Sequence, residues 1–237
     1  MQKIYAYIDG FNLYHNLKSY IKDNNLDNEL KWLDVRKLVS CFIDEKIQIL
    51  EKVNFFSAIP THCSISKQEK YKNYYEALKS VNVHIINGRF SQKKNTHFRC
   101  LKCNETNFNT ECQYCHNTDT NYFVAHEEKE TDVSLAINII SDVLTVTDLK
   151  KIILVSADTD FIPVVRYILE NTDKKITVLL PLGHNYSNGF NNIRNEYKPN
   201  NKRFDIKVIK LNNILNSLLP DEIEYDNQIY KNPYKIN

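Results

Sequence analysis

The chain has 237 residues, 42% hydrophobic and 25% charged, a composition typical of a globular protein that buries a core. The formal net charge is only +2, so bulk charge does not indicate a polyanionic partner, and the 4 glycines argue against a Gly-rich phosphate loop. No apolar run approaches the ~20 residues of a membrane span, and the N-terminal residues lack the apolar stretch of a secretory leader. We therefore expect a cytoplasmic protein with no membrane partner, whose 6 cysteines are not paired as disulfides.

Short apolar runs typical of strands alternate along the chain with helical patterns. The predicted elements are a strand at 3–8, a helix at 12–21, a helix from Asp34 to 43, a strand at 53–58, a helix at 69–79 capped by Ser66, a strand at 83–86, a helix capped by Thr131, a strand at 152–155, a helix at 161–169 and strands at 176–180 and 206–209. In the helix after Thr131, the spacing of one apolar face is found at Val133, Ala136, Ile137, Ile140 and Leu144. Repeated β–α–β alternation indicates an α/β fold, with a mostly parallel sheet between two layers of helices.

Residues 91–126 depart from this alternation, because they are polar, contain cysteines and show no helix or strand period. We interpret them as an insertion into a domain formed by residues 1–90 and 127–219. Residues 220–237 are predicted to form an extended or loosely packed C-terminal tail.

Acidic residues follow two of the predicted strands and begin one predicted helix. Asp9 follows the first strand, Asp158 and Asp160 follow the strand at 152–155, and Asp132 lies at a helix start. In a parallel sheet the strand ends share one edge, which is where ligands bind in such folds. Clustered carboxylates suit Mg²⁺ or Mn²⁺, and a metal of this kind can activate water against a phosphodiester. Taken singly, each acid is more typical of a turn or a helix cap, and the prediction of a metal site depends on several acids occurring at the same edge.

Three segments carry a resemblance to a known family. Residues 7–14 (YIDGFNLY), 128–136 (EKETDVSLA) and 156–165 (SADTDFIPVV) resemble, in the same order, the motifs of NYN domains, particularly the LabA-like group of the PIN-like nuclease superfamily. The resemblance extends over residues 4–209. It implies a PIN-like, Rossmann-like α/β/α fold and RNA cleavage that depends on Mg²⁺ or Mn²⁺.

The resemblance also implies roles for individual residues. Asp9, Asp132, Asp158 and Asp160 would form the metal site, and Asn12 would position a ligand, water or phosphate. Ser156 would place a hydroxyl near the metal, and Lys129 would contact a phosphate. For Lys129, a side chain that only faces solvent is an equally good interpretation.

The chain departs from the family pattern at three positions in these motifs. Glu130 stands where the family usually has Gly, Ala157 where it often has Gly, and Thr159 where it often has Ser. The last two changes are small. Glu130 adds a charge beside the proposed site, where it is either a further metal ligand or a residue that faces solvent.

The cysteines of the insertion have the spacing of a zinc site. Cys100-x2-Cys103 and Cys112-x2-Cys115 supply the four thiolates of a tetrahedral structural zinc ion. The segment is too polar to form its own core, so a metal would hold it together. A closed site with four cysteine ligands has no open position, and we assign it no catalysis.

Cations and aromatic residues surround these cysteines. Lys93, Lys94 and Arg99 are the cations that we expect to contact substrate, with Phe90, Phe98 and Tyr114 nearby. This mixture suits single-stranded RNA, through phosphate contacts and base stacking. Ordinary solvated lysines around a zinc-bound segment are the competing interpretation.

Together these patterns predict a metal-dependent endoribonuclease with catalytic Mg²⁺ or Mn²⁺ and structural Zn²⁺. The alternative is a non-catalytic RNA-binding or scaffold protein with the same fold. A phosphoaspartate phosphatase ranks last, because Phe11 stands where a second acid is expected two residues after Asp9. DNA as a substrate and assembly into a homo-oligomer are left open.

Overall fold

The computed structural model describes residues 1–93, 97–107, 109–184, 188–197 and 203–235. The strands are β1 (Gln2–Asp9), β2 (Gln48–Ser57), β3 (His84–Asn87), β4 (Arg89–Gln92), β5 (His97–Cys100), β6 (Thr106–Asn107), β7 (Thr120–Phe123), β8 (His126–Lys129), β9 (Leu149–Val155), β10 (Lys175–Leu180), β11 (Phe204–Val208), β12 (Glu222–Tyr225) and β13 (Gln228–Lys231). The α-helices are α1 (Gly10–Asp23), α2 (Val35–Ser40), α3 (Ile65–Ser80), α4 (Thr131–Thr145), α5 (Ile162–Asn171), α6 (Asn188–Tyr197) and α7 (Leu211–Leu215). Among the described residues, no helix has both the length and the apolar character needed to cross a membrane.

A six-stranded sheet forms the centre of the molecule, with the strand order β11-β10-β9-β1-β2-β3. Each neighbouring pair in it is parallel, so the carboxyl ends of all its strands lie at one edge. β1 and β9 are adjacent, and Ile8 pairs with Val155 near their ends. Helices pack on both faces, which confirms the predicted three-layer α/β/α fold.

Alternate residues of β1 enter two separate hydrophobic cores, as expected for a strand that is buried on both faces. Ile4, Ala6 and Ile8 pack in the core that α1, α2, α3 and α7 cover. Tyr5 and Tyr7 pack in the core that α4, α5 and α6 cover. The end of β1, where the first candidate site residue lies, is therefore held from both sides of the sheet.

The buried face of α4 differs from the one indicated by its apolar spacing. The helix buries Leu135, Ile139 and Val143 against the sheet. Three residues of the predicted apolar face are exposed instead: Val133, Ile137 and Leu144. Apolar residues occur on both sides of this helix, so its period alone does not decide which side faces the sheet. Contacts with β1 and β2 decide it.

Two predicted helix caps are displaced. The N-cap of α3 is Ser64 rather than Ser66, and the N–H of Gln68 donates to Ser64 O. The N-cap of α4 is Glu130 rather than Thr131, which is the first helical residue. The backbone conformation defines which residue is the cap. When several residues of a suitable type lie close together, the sequence does not show which of them has that conformation.

The predicted insertion contains strands that its sequence pattern did not indicate. β4 and β8 form an antiparallel ribbon at its base, and β5 pairs with β6 and β7 in a small antiparallel sheet. These strands are only 2 to 4 residues long, which is too short to produce a readable period.

The C-terminal residues also differ from the predicted extended tail in their described part. β12 and β13 form an antiparallel hairpin that contacts α3. Ile223 packs in the core, and Trp32 Nε1 donates a 2.7 Å hydrogen bond to Pro220 O. Hydrophobic burial and this hydrogen bond attach the hairpin to the domain.

Candidate functional site

Asp9 is the last residue of β1 and is buried, with 4% of its surface exposed. Its Oδ1 accepts a 2.9 Å hydrogen bond from the N–H of Asn12, which makes Asp9 the N-cap of α1. Its Oδ2 accepts a 3.0 Å hydrogen bond from the hydroxyl of Ser156. Asp9 therefore caps a helix and at the same time lines an open crevice at the carboxyl edge of the sheet.

Gly10 allows α1 to begin directly after Asp9. A Cβ atom at Gly10 would lie 2.4 Å from Cζ of Phe55 and 2.8 Å from the carbonyl oxygen of Phe56, both in β2. The carbonyl belongs to the sheet and cannot move aside, so any side chain here would push α1 away. The close approach of α1 to β2 sets the position of Asp9 at the crevice.

The segment after β9 is tied to β1 and α1 through hydrogen bonds. The fully buried hydroxyl of Ser156 donates to Asp9 and accepts a 3.0 Å hydrogen bond from the N–H of Asp158. Asn12 Oδ1 accepts a 3.0 Å hydrogen bond from the N–H of Ala157. Asp9 and Asp158 consequently lie at adjacent strand ends, as the parallel sheet predicted. Ser156 and Asn12 act here as the groups that hold these ends together.

The remaining wall of the crevice comes from the segment that joins β8 to α4. Asp132 lies in the first turn of α4, where the helix dipole favours negative charge. Glu128 lies on β8, and its Oε1 accepts a 2.6 Å hydrogen bond from the hydroxyl of Thr131. Both carboxylates line the crevice together with Asp9 and Asp158.

Burial and nearby negative charge raise the pKa values of Asp9, Glu128 and Asp132. Burial raises the pKa of Asp9 to about 6, and the charges of Asp132 and Asp158 add to this effect. Burial raises the pKa of Glu128 to about 7, with further contributions from Asp9 and Asp132. The pKa of Asp132 is raised by burial and then by Asp158 and Asp160. Carboxylates that are ionised together in the crevice repel one another, and a bound cation would relieve that repulsion.

The donor set of the crevice fits a hard divalent cation. Mg²⁺ and Mn²⁺ prefer oxygen ligands, and the crevice is lined by the carboxylates of Asp9, Glu127, Glu128, Glu130, Asp132 and Asp158. The carboxylate oxygens surround the crevice without gathering at one point. Among the described residues, only a group of cysteine sulfurs is compact enough for all its ligand atoms to lie within 4.8 Å of one another.

That compact group is a second candidate metal centre, in the insertion. The sulfurs of Cys100, Cys103, Cys112 and Cys115 form it, and all of these are free thiols. The Sγ atoms of Cys100 and Cys115 are 3.5 Å apart, as are those of Cys103 and Cys112. A disulfide needs about 2.05 Å, so the sulfurs are placed as separate ligands that could hold a metal such as zinc.

The two Cys-x2-Cys segments form equivalent turns. Asn104 N donates to Cys100 O at 2.9 Å, and His116 N donates to Cys112 O at 2.8 Å. Asn104 and His116 have φ values of +62° and +55°, so each segment leaves its second cysteine through a left-handed residue. This repetition presents the two cysteine pairs to each other in the same way, which the linear spacing alone did not reveal.

Hydrogen-bond donors surround the sulfurs. Asn107 Nδ2 lies 3.5 Å from Cys112 Sγ, and Asn117 Nδ2 lies 3.8 Å from Cys100 Sγ. The backbone N–H of Cys103 lowers the pKa of Cys100 to about 6. Donors of this kind stabilise thiolates, the form that binds zinc.

The sequence model of the NYN domain matches residues 3–197. The chain belongs to the NYN domain family. NYN domains are PIN-like domains of nuclease type, which supports a general nuclease or RNA-related function. No curated protein sequence is significantly similar to the chain. The fold is similar to the crystal structure of a Vibrio parahaemolyticus protein of unknown function, with a TM-score of 0.53 and 16% identity over 92% of this chain and 96% of that chain. At this identity the likeness supports the fold alone.

Glu130 of this NYN domain occupies the position where the family usually has Gly, and its backbone explains that preference. Its φ is +76°, a left-handed conformation that glycine adopts without a Cβ penalty. The Glu130 carboxylate forms a salt bridge with Arg89, and both side chains are more than half exposed. Of the two roles expected for Glu130, the contact with Arg89 at the crevice mouth agrees with the one that faces solvent.

Of the other predicted site residues, some line the crevice and others do not. Asp160 is exposed and does not line the crevice, although its N–H donates a 2.9 Å hydrogen bond to Asp158 Oδ1. Lys93 and Lys129 do line it, and both form salt bridges with Glu127. Arg99 lies on β5, outside the crevice lining. Lys94 falls outside the residues that the structure describes.

Sequence reasoning did not select Glu128, which the structure brings to the crevice. Glu128 belongs to the second NYN motif and precedes Asp132 by four positions. The signal was weak, because β8 has only 4 residues and their alternation does not show which side chains face inward. Phe11 and His126 were also not selected, and both line the crevice.

Proposed function

We propose that this NYN domain is a Mg²⁺- or Mn²⁺-dependent endoribonuclease that hydrolyses RNA phosphodiester bonds in the crevice at the carboxyl edge of the sheet. The single observation that carries the proposal is that Asp9, Glu128, Asp132 and Asp158 line that crevice together, where burial and neighbouring carboxylates raise the pKa values of Asp9, Glu128 and Asp132. Placing several carboxylates together is energetically unfavourable, and the metal site of a nuclease would explain why the chain does so.

The chain's own residues hold the carboxylates in place. Ser156 and the N–H of Asn12 orient the two oxygens of Asp9. The Thr131 hydroxyl orients Glu128, and the start of α4 presents Asp132. A bound divalent cation would supply an activated water and stabilise the charge that develops on the phosphodiester. We propose Asp9, Asp132, Asp158 and Glu128 as its ligands, and Asp160 as a residue of the periphery.

We assign the inserted cysteine group a structural role. Four thiolates close a tetrahedral zinc site and leave no position for substrate. Among the side chains that the structure describes between residues 97 and 123, the buried hydrophobic ones are those of Cys100 and Cys112 beside the small sheet β6-β5-β7, so zinc would stabilise this sheet. Lys93, Lys94 and Arg99 of this region are proposed to contact the phosphates of single-stranded RNA.

Cleavage of an end-labelled single-stranded RNA tests the proposal. The purified protein is dialysed to remove loosely bound metal and then supplied with Mg²⁺, Mn²⁺ or no metal. Asp158→Asn and Asp132→Asn are assayed beside the wild type. Asp226→Asn is the matched control, because Asp226 is exposed in the C-terminal hairpin and its φ of +50° suits asparagine.

The expected result is metal-dependent cleavage by the wild type and by Asp226→Asn, and its loss in the two crevice variants, whose thermal unfolding shows that they are folded. Cleavage retained in both crevice variants would contradict the assignment. Binding of RNA by all variants without cleavage in either metal would identify instead a non-catalytic RNA-binding or scaffold protein.

A further inference from the structure

Aromatic rings from separate parts of the chain meet in an unbroken series beside the crevice. The ring centroids of His15 and Phe11 are 4.1 Å apart, and those of Phe11 and Phe90 are 6.4 Å apart. His62 follows at 5.0 Å from Phe90, and His126 stacks on His62 at 4.0 Å with an interplanar angle of 4°. We call these five rings the aromatic strip.

The aromatic strip lies at the surface rather than in a core. Phe11 is 41% exposed, His15 and His62 are also exposed, and neither hydrophobic core contains a ring of the strip. Phe11 and His126 belong at the same time to the lining of the acidic crevice. The strip therefore forms a continuous aromatic path along the surface that borders the proposed cleavage site.

Positive charge accompanies the strip. The pKa of His15 is lowered by partial burial of the ring and then by the charges of Lys18 and Lys67, and the pKa of His62 is lowered by partial burial, by His126 and by Lys67. Lys67 lies in the first turn of α3, and its charge acts on both histidines. It forms no salt bridge with any described carboxylate, so its charge is available to a ligand.

From this geometry we propose that the aromatic strip stacks unpaired bases of a single-stranded RNA and leads the strand into the crevice. The inference rests on the proposed nuclease function for its class of ligand. Every base has a π face, so stacking on exposed rings selects for unpaired strands without reading sequence. A base in a duplex is already stacked and cannot use the strip.

The structural alternative is that the rings only attach the β4-β8 ribbon to the rest of the domain. The two roles differ in what a substitution changes. If the rings only attach the ribbon, a leucine would lower stability and leave RNA affinity unchanged. If they stack bases, loss of a ring would weaken binding while a different aromatic residue would preserve it.

The experiment measures binding of a single-stranded RNA that carries 2-aminopurine, whose fluorescence falls on stacking, in the presence of Ca²⁺. Gel electrophoresis confirms that the RNA stays intact. The variants are Phe11→Leu, His62→Leu and their combination, with Phe11→Trp as the variant that keeps a ring. Tyr230→Leu is the control, because Tyr230 lies on the C-terminal hairpin outside the strip.

We expect the double variant to bind at least about tenfold more weakly and to lose fluorescence quenching, since stacking on each ring contributes severalfold or more to affinity. Phe11→Trp and Tyr230→Leu should bind as the wild type does, and a duplex of the same sequence should bind weakly to every protein. Thermal unfolding of each variant shows whether it is folded, and His62→Leu alone serves if Phe11→Leu is unstable.

Wild-type affinity and quenching in the folded leucine variants would overturn the inference, as would Phe11→Trp binding as weakly as Phe11→Leu. The outcome is separable from that of the proposed function. If the strip binds RNA but no metal supports cleavage, the nuclease assignment fails alone. If RNA is cleaved but the leucine variants bind normally, the inference fails alone.

Discussion

The hydroxyl of Ser156 donates a 3.0 Å hydrogen bond to Oδ2 of Asp9, and this contact joins the ends of β9 and β1. Ser156 is fully buried, so water cannot take its place. The same hydroxyl accepts from the N–H of Asp158. One small side chain therefore sets the relative position of two proposed metal ligands.

Replacing this side chain by Ser156→Ala should lower the free energy of unfolding by about 1–2 kcal/mol, because buried hydrogen-bonding groups lose their partner. The Ser156 hydrogen bond lowers the pKa of Asp9, so its removal should raise that pKa above about 6. RNA cleavage should fall and its acid limb should move to higher pH. Urea unfolding and a pH–rate profile measure both effects. Ser141→Ala on the exposed side of α4 is the control, and equal behaviour of the two variants would contradict the prediction.

Divalent metal should stabilise the protein more at about pH 8 than at about pH 5. Asp9 and Glu128 have folded pKa values of about 6 and about 7, above the ordinary values of about 4. A carboxyl with a raised folded pKa stabilises the fold while it is protonated. That contribution is complete below the unfolded pKa and is lost as the pH rises through the folded pKa. Above it, a cation can replace the proton.

Thermal unfolding with and without Mn²⁺ at the two pH values measures this linkage. At about pH 8, Mn²⁺ at about 100 times its Kd should raise Tm by about 5–10 °C. At about pH 5 the shift should be much smaller. Asp9→Asn should raise the metal-free Tm at the higher pH and remove the response to Mn²⁺. An equal response in that variant would exclude Asp9 as a ligand.

Glu128 and Glu130 form a matched pair, because both line the crevice but have different surroundings. Glu128 is partly buried beside Asp9 and Asp132, whereas Glu130 is exposed and pairs with Arg89. Glu128→Gln should reduce cleavage at limiting metal by at least about 10-fold, because removing even a residue that only orients a metal ligand costs about 10- to 100-fold. Glu130→Gln should retain nearly full activity. Steady-state cleavage at several Mn²⁺ concentrations makes the comparison, and the reverse order of effects would refute it.

The cysteine group should bind one zinc ion per chain, because four thiolates complete a tetrahedral site. Cys103→Ser should lose the ion, while Cys41→Ser should keep it, since Cys41 is a free thiol outside the group. Native mass spectrometry counts the metal. Hydrogen exchange should show reduced protection in β5, β6 and β7 but not in β1 or β9. Zinc retained by Cys103→Ser would contradict the assignment.

The cations of the insertion are predicted to contact RNA phosphates. Combining Lys93→Glu, Lys94→Glu and Arg99→Glu should weaken RNA binding. The slope of log affinity against log salt should fall by about 0.7 for each phosphate that these side chains no longer neutralise. Lys175→Glu is the control, because Lys175 begins β10 at the sheet edge opposite the crevice. Affinity and slope equal to the wild type would show that these residues are merely solvated.

Much of the fold could be predicted because each signal for it is local. The apolar run at 152–155 and the acids that follow it are adjacent in the chain, and so are Asp9 and the strand before it. Once the sheet is parallel, such neighbours must emerge at one edge. The paired spacing of the cysteines is equally local, and the structure brings those four sulfurs together.

The wrong predictions concern which side of a helix is buried and which segments pair as strands. Local sequence patterns do not contain this information. α4 carries apolar residues on both sides, so only its contacts with β1 and β2 select the buried face. The short strands of the insertion and the C-terminal hairpin form through pairing between segments, and their own sequences show no clear period.

The sequence by itself determined the order of the elements, the sheet edge that carries Asp9 and Asp158, and the cysteine pairs, because periodicity and spacing act within a few residues. Only the tertiary structure decided that Glu128 approaches Asp9, that Asp160 remains outside the crevice and that His62 stacks on His126. The hydrophobic periodicity of a helix or strand indicates which way each side chain points about the axis of that element. The partner it meets depends on how distant elements pack against one another.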